Sequence, residues 1–100
     1  MKVVCLGGAG AMGSSCVYDL HKTSDFDEIV VADFDEITAR RVINLMDGDK
    51  RFSYVRVDAS KKEEIANVLK SADCVVDTLP EKYVYNFMDA VKEVGISGVA

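Results

Sequence analysis

Three glycines near the amino terminus have the spacing that phosphate binding requires. Gly8, Gly10 and Gly13 form a Gly-x-Gly-x-x-Gly run directly after the apolar residues Val3 to Leu6. In a dinucleotide-binding unit the first glycine permits a sharp turn, the second leaves space for the pyrophosphate, and the third lets a helix pack closely on the sheet. The alternative is a glycine-rich turn that only connects a strand to a helix.

The residues after Gly10 are expected to begin that helix. Ala11, Met12 and Gly13 would then present backbone N–H groups that have no acceptor within the helix, at the positive end of the helix dipole. We expect phosphate oxygens to bind there.

An acidic residue follows at the distance expected for ribose recognition. Asp33 ends a second apolar run, twenty residues beyond the last glycine, and a carboxylate at this position accepts hydrogen bonds from the adenosine ribose. The same charge repels a 2′-phosphate, so NAD is favoured over NADP, although Arg40 and Arg41 in the next helix could soften the discrimination. Phe34 is predicted to contact the cofactor, whereas Asp35 is interpreted as the cap of the next helix.

Two later segments are predicted to reach the same edge of the sheet. Asp58 and Ala59 follow the third apolar run, where they either contact adenine or form a loop before a helix capped by Ser60. Leu79 and Pro80 follow the fourth run, on the side where nicotinamide would lie.

No catalytic acid or base is evident at this edge. Asp77, Glu81 and Lys82 are the nearest candidates, and each is explained more simply as a charge at a strand end or in a first helical turn. The catalytic residues therefore stay unknown.

Apolar runs alternate with helical stripes along the chain, a pattern typical of a parallel sheet with crossover helices. The runs predict strands at Lys2 to Leu6, Glu28 to Ala32, Tyr54 to Val57, Cys74 to Leu79 and Ile96 to Ala100. Helices are predicted from Ala11 to Lys22, from Glu36 to Met46, from a Ser60-x-x-Glu63 capping box through Ala72, and from near Pro80 to a residue before Gly95. The expected fold class is α/β, a Rossmann-like doubly wound parallel sheet with helices on both faces.

Apolar stripes on three of these helices are predicted to face the core. Their members are Met12, Cys16 and Leu20, then Ile65, Val68, Leu69 and Ala72, and finally Val84, Phe87, Met88 and Val91.

Composition and charge indicate which kinds of partner the chain can bind. The chain is 49% apolar and 29% charged with one proline, typical of a soluble globular protein. A net charge of −5 with no basic run longer than two residues argues against nucleic acid. The first apolar run ends at Gly7, too short for a secretory signal or a membrane span, so a cytoplasmic location is expected.

The cysteines are interpreted as small buried apolar side chains. Cys5, Cys16 and Cys74 lie in apolar stretches without Cys-x-x-Cys spacing, and His21 is the single histidine. We expect free thiols in a reducing compartment and no metal site.

Four segments together resemble the amino-terminal NAD(P)-binding domain of the saccharopine dehydrogenase and lysine dehydrogenase family. They are VCLGGAGAMG at 4–13, VVADFD at 30–35, VDAS at 57–60 and ADCVVDTLP at 72–80. The resemblance implies that the glycine loop holds the pyrophosphate, Asp33 the ribose, Asp58 and Ala59 the adenine side, and Leu79 and Pro80 the nicotinamide side. It also implies hydride transfer at an amino-bearing carbon of an amino-acid substrate.

That resemblance shapes the expectation for the chain as a whole. Residues 1–100 are predicted to form one dinucleotide-binding domain, either truncated or unusually minimal, and inactive alone because family members bind substrate with a second domain. The alternative is a non-catalytic nucleotide sensor similar to the domains that regulate potassium channels. Such domains carry Gly-Asp-Ala where this chain has Val57-Asp58-Ala59, which favours the dehydrogenase. A homodimer of the full-length protein is left open.

Overall fold

Strands and helices alternate along the whole of the chain that the computed structural model describes, residues 1–23 and 25–96. The elements are β1 (Lys2–Leu6), α1 (Ala11–Thr23), β2 (Glu28–Asp33), α2 (Glu36–Asn44), β3 (Phe52–Arg56), α3 (Lys62–Leu69), β4 (Cys74–Asp77), a 3-10 turn (Glu81–Tyr83) and α4 (Val84–Val94). No helix in these two ranges is both long enough and apolar enough to cross a membrane.

The strands form one parallel sheet in the order β3-β2-β1-β4. In the centre, Val4 of β1 pairs with Val30 on one side and with Val75 on the other. The chain therefore steps from β1 towards β3 and then crosses back to β4. This reversal places the carboxyl ends of β1 and β4 at the switch point, where open α/β sheets bind ligands.

Each face of the sheet buries its own apolar core. On one face, Val3, Cys5 and Val31 pack with Val17 of α1 and Ala39 of α2. On the other, the alternate strand residues pack with α3 and α4, and this cluster contains Val4, Leu6, Val30, Ala32, Ile65, Leu69, Val75, Phe87 and Ala90. Helices on both faces of a parallel sheet confirm the predicted fold class.

The boundaries of three described strands differ from the prediction, β2 by a single residue because it ends at Asp33 rather than Ala32. β3 begins at Phe52, two residues before the predicted start, and ends at Arg56. β4 ends at Asp77 because that carboxylate accepts the Leu79 N–H at 3.0 Å and turns the chain out of the sheet. Beyond Ile96, which packs against the core, the predicted fifth strand lies outside the described residues.

The predicted capping box at the start of α3 is wrong. Ser60 Oγ donates to Asp58 Oδ1 at 2.6 Å, so its hydroxyl belongs to the preceding turn. The helix starts at Lys62, after Lys61, without a side-chain cap. Glu64 rather than Glu63 reaches back, and its Oε1 accepts the Asp58 N–H at 3.0 Å.

The predicted core stripes hold for α3 and only in part elsewhere. Ile65 and Leu69 are fully buried, with Val68 and Ala72 packed at the margin. On α4, Phe87 is buried and Val91 packs against the core, but Met88 is 57% exposed and Val84 is 36% exposed.

The stripe predicted on α1 is displaced by one residue. Val17 is its fully buried member, Leu20 packs at the margin and Cys16 is half-buried, while the Met12 side chain lies outside the described part of the chain. Among the other thiols, Cys5 is buried and Cys74 half-buried, and all three cysteines are free.

Candidate cofactor-binding site

A cleft of about 390 Å³ lies at the carboxyl edge of the sheet, across the ends of all the strands. Its walls are Gly7, Ala9, Gly10, Ala32, Asp33, Phe34, Asp35, Thr38, Val57, Ala59, Thr78, Leu79, Pro80 and Tyr83. Six residues predicted to contact the cofactor are therefore brought together here: Gly10, Asp33, Phe34, Ala59, Leu79 and Pro80.

The turn out of β1 is made by Gly7, not by Gly8 as predicted. Gly7 has φ +77°, a backbone conformation that side chains with a Cβ rarely adopt. Gly8 instead lies against the sheet, since a Cβ there would be 2.9 Å from Val31 Cγ1. Gly8 is thus required for close packing, and it does not line the cleft.

The other two glycines of the run have different surroundings. A Cβ on Gly13 would lie 2.0 Å from the Gly7 carbonyl oxygen, so this glycine lets α1 pack directly on the turn. A Cβ on Gly10 would meet only that same oxygen, at 3.5 Å, and Gly10 lines the cleft. The space beside Gly10 is therefore open to a ligand, as a pyrophosphate requires.

The amino-terminal turn of α1 supplies hydrogen-bond donors next to that space. Its first helical bond runs from the Ser14 N–H to the Gly10 carbonyl at 2.8 Å. The amides of Ala11, Met12 and Gly13 come earlier in the helix and have no acceptor within it. These amides and the helix dipole favour an anion at this point.

Asp33 ends β2 and faces the glycine loop. Its Oδ2 accepts the Ala9 N–H at 3.0 Å, and its Oδ1 accepts the Asp35 N–H at 3.0 Å. Each carboxylate oxygen can accept a second hydrogen bond. The residue can therefore hold the loop and still accept hydrogen bonds from ribose hydroxyls.

Asp35 is the cap of α2, as predicted. Its carboxylate accepts the Thr38 N–H at 3.1 Å and the Thr38 hydroxyl at 2.7 Å, and these bonds lower the pKa of Asp35. Thr38, which was not predicted as a site residue, lines the cleft, and its hydrogen bonds to Asp35 hold it there.

Of the two residues predicted to contact adenine, Ala59 lines the cleft and Asp58 does not. The Asp58 carboxylate turns to Ser60, whose side-chain and backbone hydrogen bonds lower the pKa of Asp58. These contacts agree with the interpretation of Asp58 as a loop residue rather than as an adenine contact. Asn86 of α4 also supports this segment, because its Nδ2 donates to the Ala59 carbonyl at 3.0 Å.

The opposite wall of the cleft is built on the end of β4. Thr78 donates from both its amide, at 3.0 Å, and its hydroxyl, at 2.7 Å, to the Leu6 carbonyl, and it lies against Gly7. Leu79, Pro80 and Tyr83 continue this wall.

Two arginines lie near the Asp33 end of the cleft. Arg56 pairs with Asp33 in the register of β3 and β2, and its guanidinium carbon lies 4.4 Å from the centre of the Phe34 ring. Arg40 lies over the Tyr54 ring at 5.4 Å and donates to Glu36 at 2.7 Å. Of these two arginines, only Arg40 was predicted from the sequence to influence the choice of cofactor.

Comparison with known proteins agrees with this geometry. The family described as the saccharopine dehydrogenase NADP binding domain matches residues 3–100. Among solved structures, apo saccharopine dehydrogenase (L-Glu forming) from Saccharomyces cerevisiae superposes with a TM-score of 0.78 at 17% identity, over 95% of this chain and 20% of that one.

Other structural matches extend over nearly the whole of this chain. Pen from Bacillus thuringiensis gives a TM-score of 0.86 at 13% identity, covering 98% of this chain and 36% of that one. A short-chain dehydrogenase/reductase of the wide type from Veillonella parvula, in complex with NADP, gives 0.77 at 14% identity, covering 98% and 45%.

These solved structures share the fold, and this chain spans less than half of each of them. The family match, by contrast, includes nearly every residue and all four segments that carry the resemblance. The chain therefore belongs to the saccharopine dehydrogenase NADP-binding domain family.

Proposed function

We propose that the cleft binds NAD(H), with its pyrophosphate beside Gly10 and its adenosine ribose on Asp33. The observation that carries the proposal is the opening beside Gly10, which adjoins the first turn of α1 and lies across the cleft from a β2-terminal carboxylate. This arrangement offers backbone donors to phosphates and acceptors to hydroxyls. Phe34 and Ala59 would flank adenine, and Leu79 and Pro80 would border nicotinamide.

The activity that we propose for the full-length protein is hydride transfer to or from an amino-bearing carbon of an amino-acid substrate. The bound dinucleotide supplies the hydride chemistry. This chain orients it, through Asp33 at the ribose and Thr78 at the strand end behind the nicotinamide side. A substrate domain would complete the cleft, and we propose that the chain alone does not turn over substrate.

Preference for NAD(H) over NADP(H) is part of the proposal. The Asp33 carboxylate would gain hydrogen bonds from two ribose hydroxyls and would repel a 2′-phosphate. The matching family is an NADP-binding domain and the Veillonella structure contains NADP, so titration with both cofactors tests this preference.

Calorimetric titration with NADH tests the binding site. The unaltered chain should bind NADH, and Gly10→Val should abolish binding while leaving the thermal melt nearly unchanged, because the branched side chain would occupy the open space. Unchanged affinity in that variant would show that the loop does not hold the pyrophosphate.

Assays of turnover test the activity. The full-length protein should reduce NAD with lysine or saccharopine, and the 100-residue chain should not. Reduction by the chain alone would contradict the need for a substrate domain. Binding without turnover by the full-length protein would favour a nucleotide sensor.

A further inference from the structure

The side chain of Arg56, the last residue of β3, is exposed and is not needed to pack the strand against the core. It is exposed at the carboxyl end of the edge strand, next to Asp33 in the parallel register. Among residues 1–23 and 25–96 it forms no ion pair, and its guanidinium lies over the Phe34 ring. Phe34 itself lines the cleft, so the guanidinium lies beside the ribose end of the proposed site.

Arg40 lies nearby, but its guanidinium contacts Glu36 and Tyr54. Its Nε donates to Glu36 Oε2 at 2.7 Å, a spacing of four residues along α2, and its guanidinium covers Tyr54 rather than a residue of the cleft wall. Releasing Arg40 to a ligand would break this pair. Arg56 forms no ion pair within the described ranges, although its charge helps to lower the pKa of Asp58. Its cation–π contact is with Phe34, a residue of the cleft wall, so its guanidinium is already beside the proposed site.

Asp33 is less repulsive to an anion than an isolated carboxylate would be. Both of its oxygens accept a backbone N–H, from Ala9 and from Asp35, and those dipoles offset part of its charge. A phosphate on the ribose would then meet a partly neutralised carboxylate on one side and a guanidinium without an acidic partner on the other. Guanidinium groups bind phosphate oxygens through paired hydrogen bonds.

We propose that Arg56 is the residue that binds the 2′-phosphate of NADP(H), and that it determines how strongly the site discriminates between the two cofactors. This inference rests on the proposed dinucleotide site. It assigns the ribose end two opposing residues, Asp33 favouring NAD(H) and Arg56 allowing NADP(H) to bind measurably.

Titration of NADH and NADPH into Arg56→Ala tests the assignment, with Arg40→Ala as the matched control. Arg56→Ala should weaken NADPH binding by about tenfold or more and leave NADH binding unchanged, since one charge-assisted contact to the phosphate is lost. Arg56→Lys should retain part of the NADPH affinity, because it keeps the charge without the paired donors. Arg40→Ala should change neither affinity.

Several results would overturn the assignment. An equal loss for both cofactors in Arg56→Ala would mean a general effect on the adenosine side, and an unchanged ratio would mean that Arg56 does not contact the phosphate. Undetectable NADPH binding to the unaltered chain would also contradict it. If the unaltered chain binds NADH in these cases, the proposed function stands; if Gly10→Val retains NADH affinity, the proposed function fails instead.

Discussion

The Ala9 amide donates to Asp33 Oδ2 at 3.0 Å, joining the glycine loop after β1 to the last residue of β2. This one hydrogen bond fixes the Asp33 carboxylate at the cleft wall and also fixes the glycine loop. Tyr54 adds support from β3, because its hydroxyl donates to the Asp33 carbonyl at 2.8 Å. In the proposed complex, this one side chain would couple the binding of the ribose to the binding of the pyrophosphate.

The contrast between Gly10 and Gly13 predicts opposite effects of adding one methyl group. Gly13→Ala should lower the free energy of unfolding by about 1–3 kcal/mol, because its Cβ would overlap the Gly7 carbonyl oxygen at 2.0 Å. Gly10→Ala should leave stability unchanged or slightly higher, since its Cβ makes an ordinary contact at 3.5 Å. Urea unfolding of both variants measures the difference, and equal stabilities would mean that α1 does not pack on the turn in this way.

Asp49 should stabilise the end of the sheet away from the cleft. Its carboxylate accepts Arg51 Nη2 at 2.7 Å and Nε at 3.0 Å, and His21 Nδ1 lies 2.9 Å away. Asp49→Asn should lower the free energy of unfolding at pH 7 by about 1–3 kcal/mol. Asp89→Asn, an exposed carboxylate on α4, is the control and should change it by less than about 0.5 kcal/mol.

The same carboxylate predicts a pH dependence. Hydrogen bonds, first from Arg51 and also from His21, hold the pKa of Asp49 well below its ordinary value. Its stabilising contribution is therefore complete above the unfolded-state pKa of about 3.9 and is lost as pH falls through the lower folded-state pKa. The stability gap between the unaltered chain and Asp49→Asn should narrow on acidification below about pH 4, and a gap independent of pH would contradict this assignment.

Asn86 should hold the loop after β3 to α4. Asn86→Ala removes the 3.0 Å bond to the Ala59 carbonyl and should lower the free energy of unfolding by about 0.5–1.5 kcal/mol. Amide hydrogen exchange in residues 58–61 should also become faster, since this loop loses its tie to the helix. Asn67→Ala, exposed on α3, should affect neither quantity. Unchanged exchange in the first variant would mean that α4 does not support the loop.

Local chemistry made much of the fold predictable from the sequence. The glycine spacing, the acid after β2 and the Asp35 cap each depend on residues a few positions apart, and apolar runs identified the four described strands. The mistakes arose where two neighbours could do the same task. Gly7 rather than its neighbour Gly8 makes the turn, and the Ser60 hydroxyl donates to Asp58 instead of capping α3.

Contacts between distant segments could not be read from the sequence. Asn86 meets Ala59 from 27 residues away, and Thr78 meets Leu6 from 72 residues away. Arg56 lies near Phe34 of the cleft wall because β3 pairs with β2 in a register that places it beside Asp33. The exposure of Met88 depends on what covers α4, which helical periodicity does not specify.

The most direct measurement is the affinity of the chain for NADH and NADPH, before and after Asp33→Ser. Charge-assisted hydrogen bonds contribute about 1.5–3 kcal/mol each, so the unaltered chain should prefer NADH by at least roughly tenfold. Asp33→Ser should lower NADH affinity and leave NADPH affinity equal or higher, because it removes both the ribose bonds and the repulsion of the phosphate. A thermal melt of the variant controls for loosening of the loop at Ala9. Equal affinities of the unaltered chain for NADPH and NADH would contradict the proposed preference for NAD(H), and if the substitution leaves the ratio of the two affinities unchanged, Asp33 is not the ribose ligand.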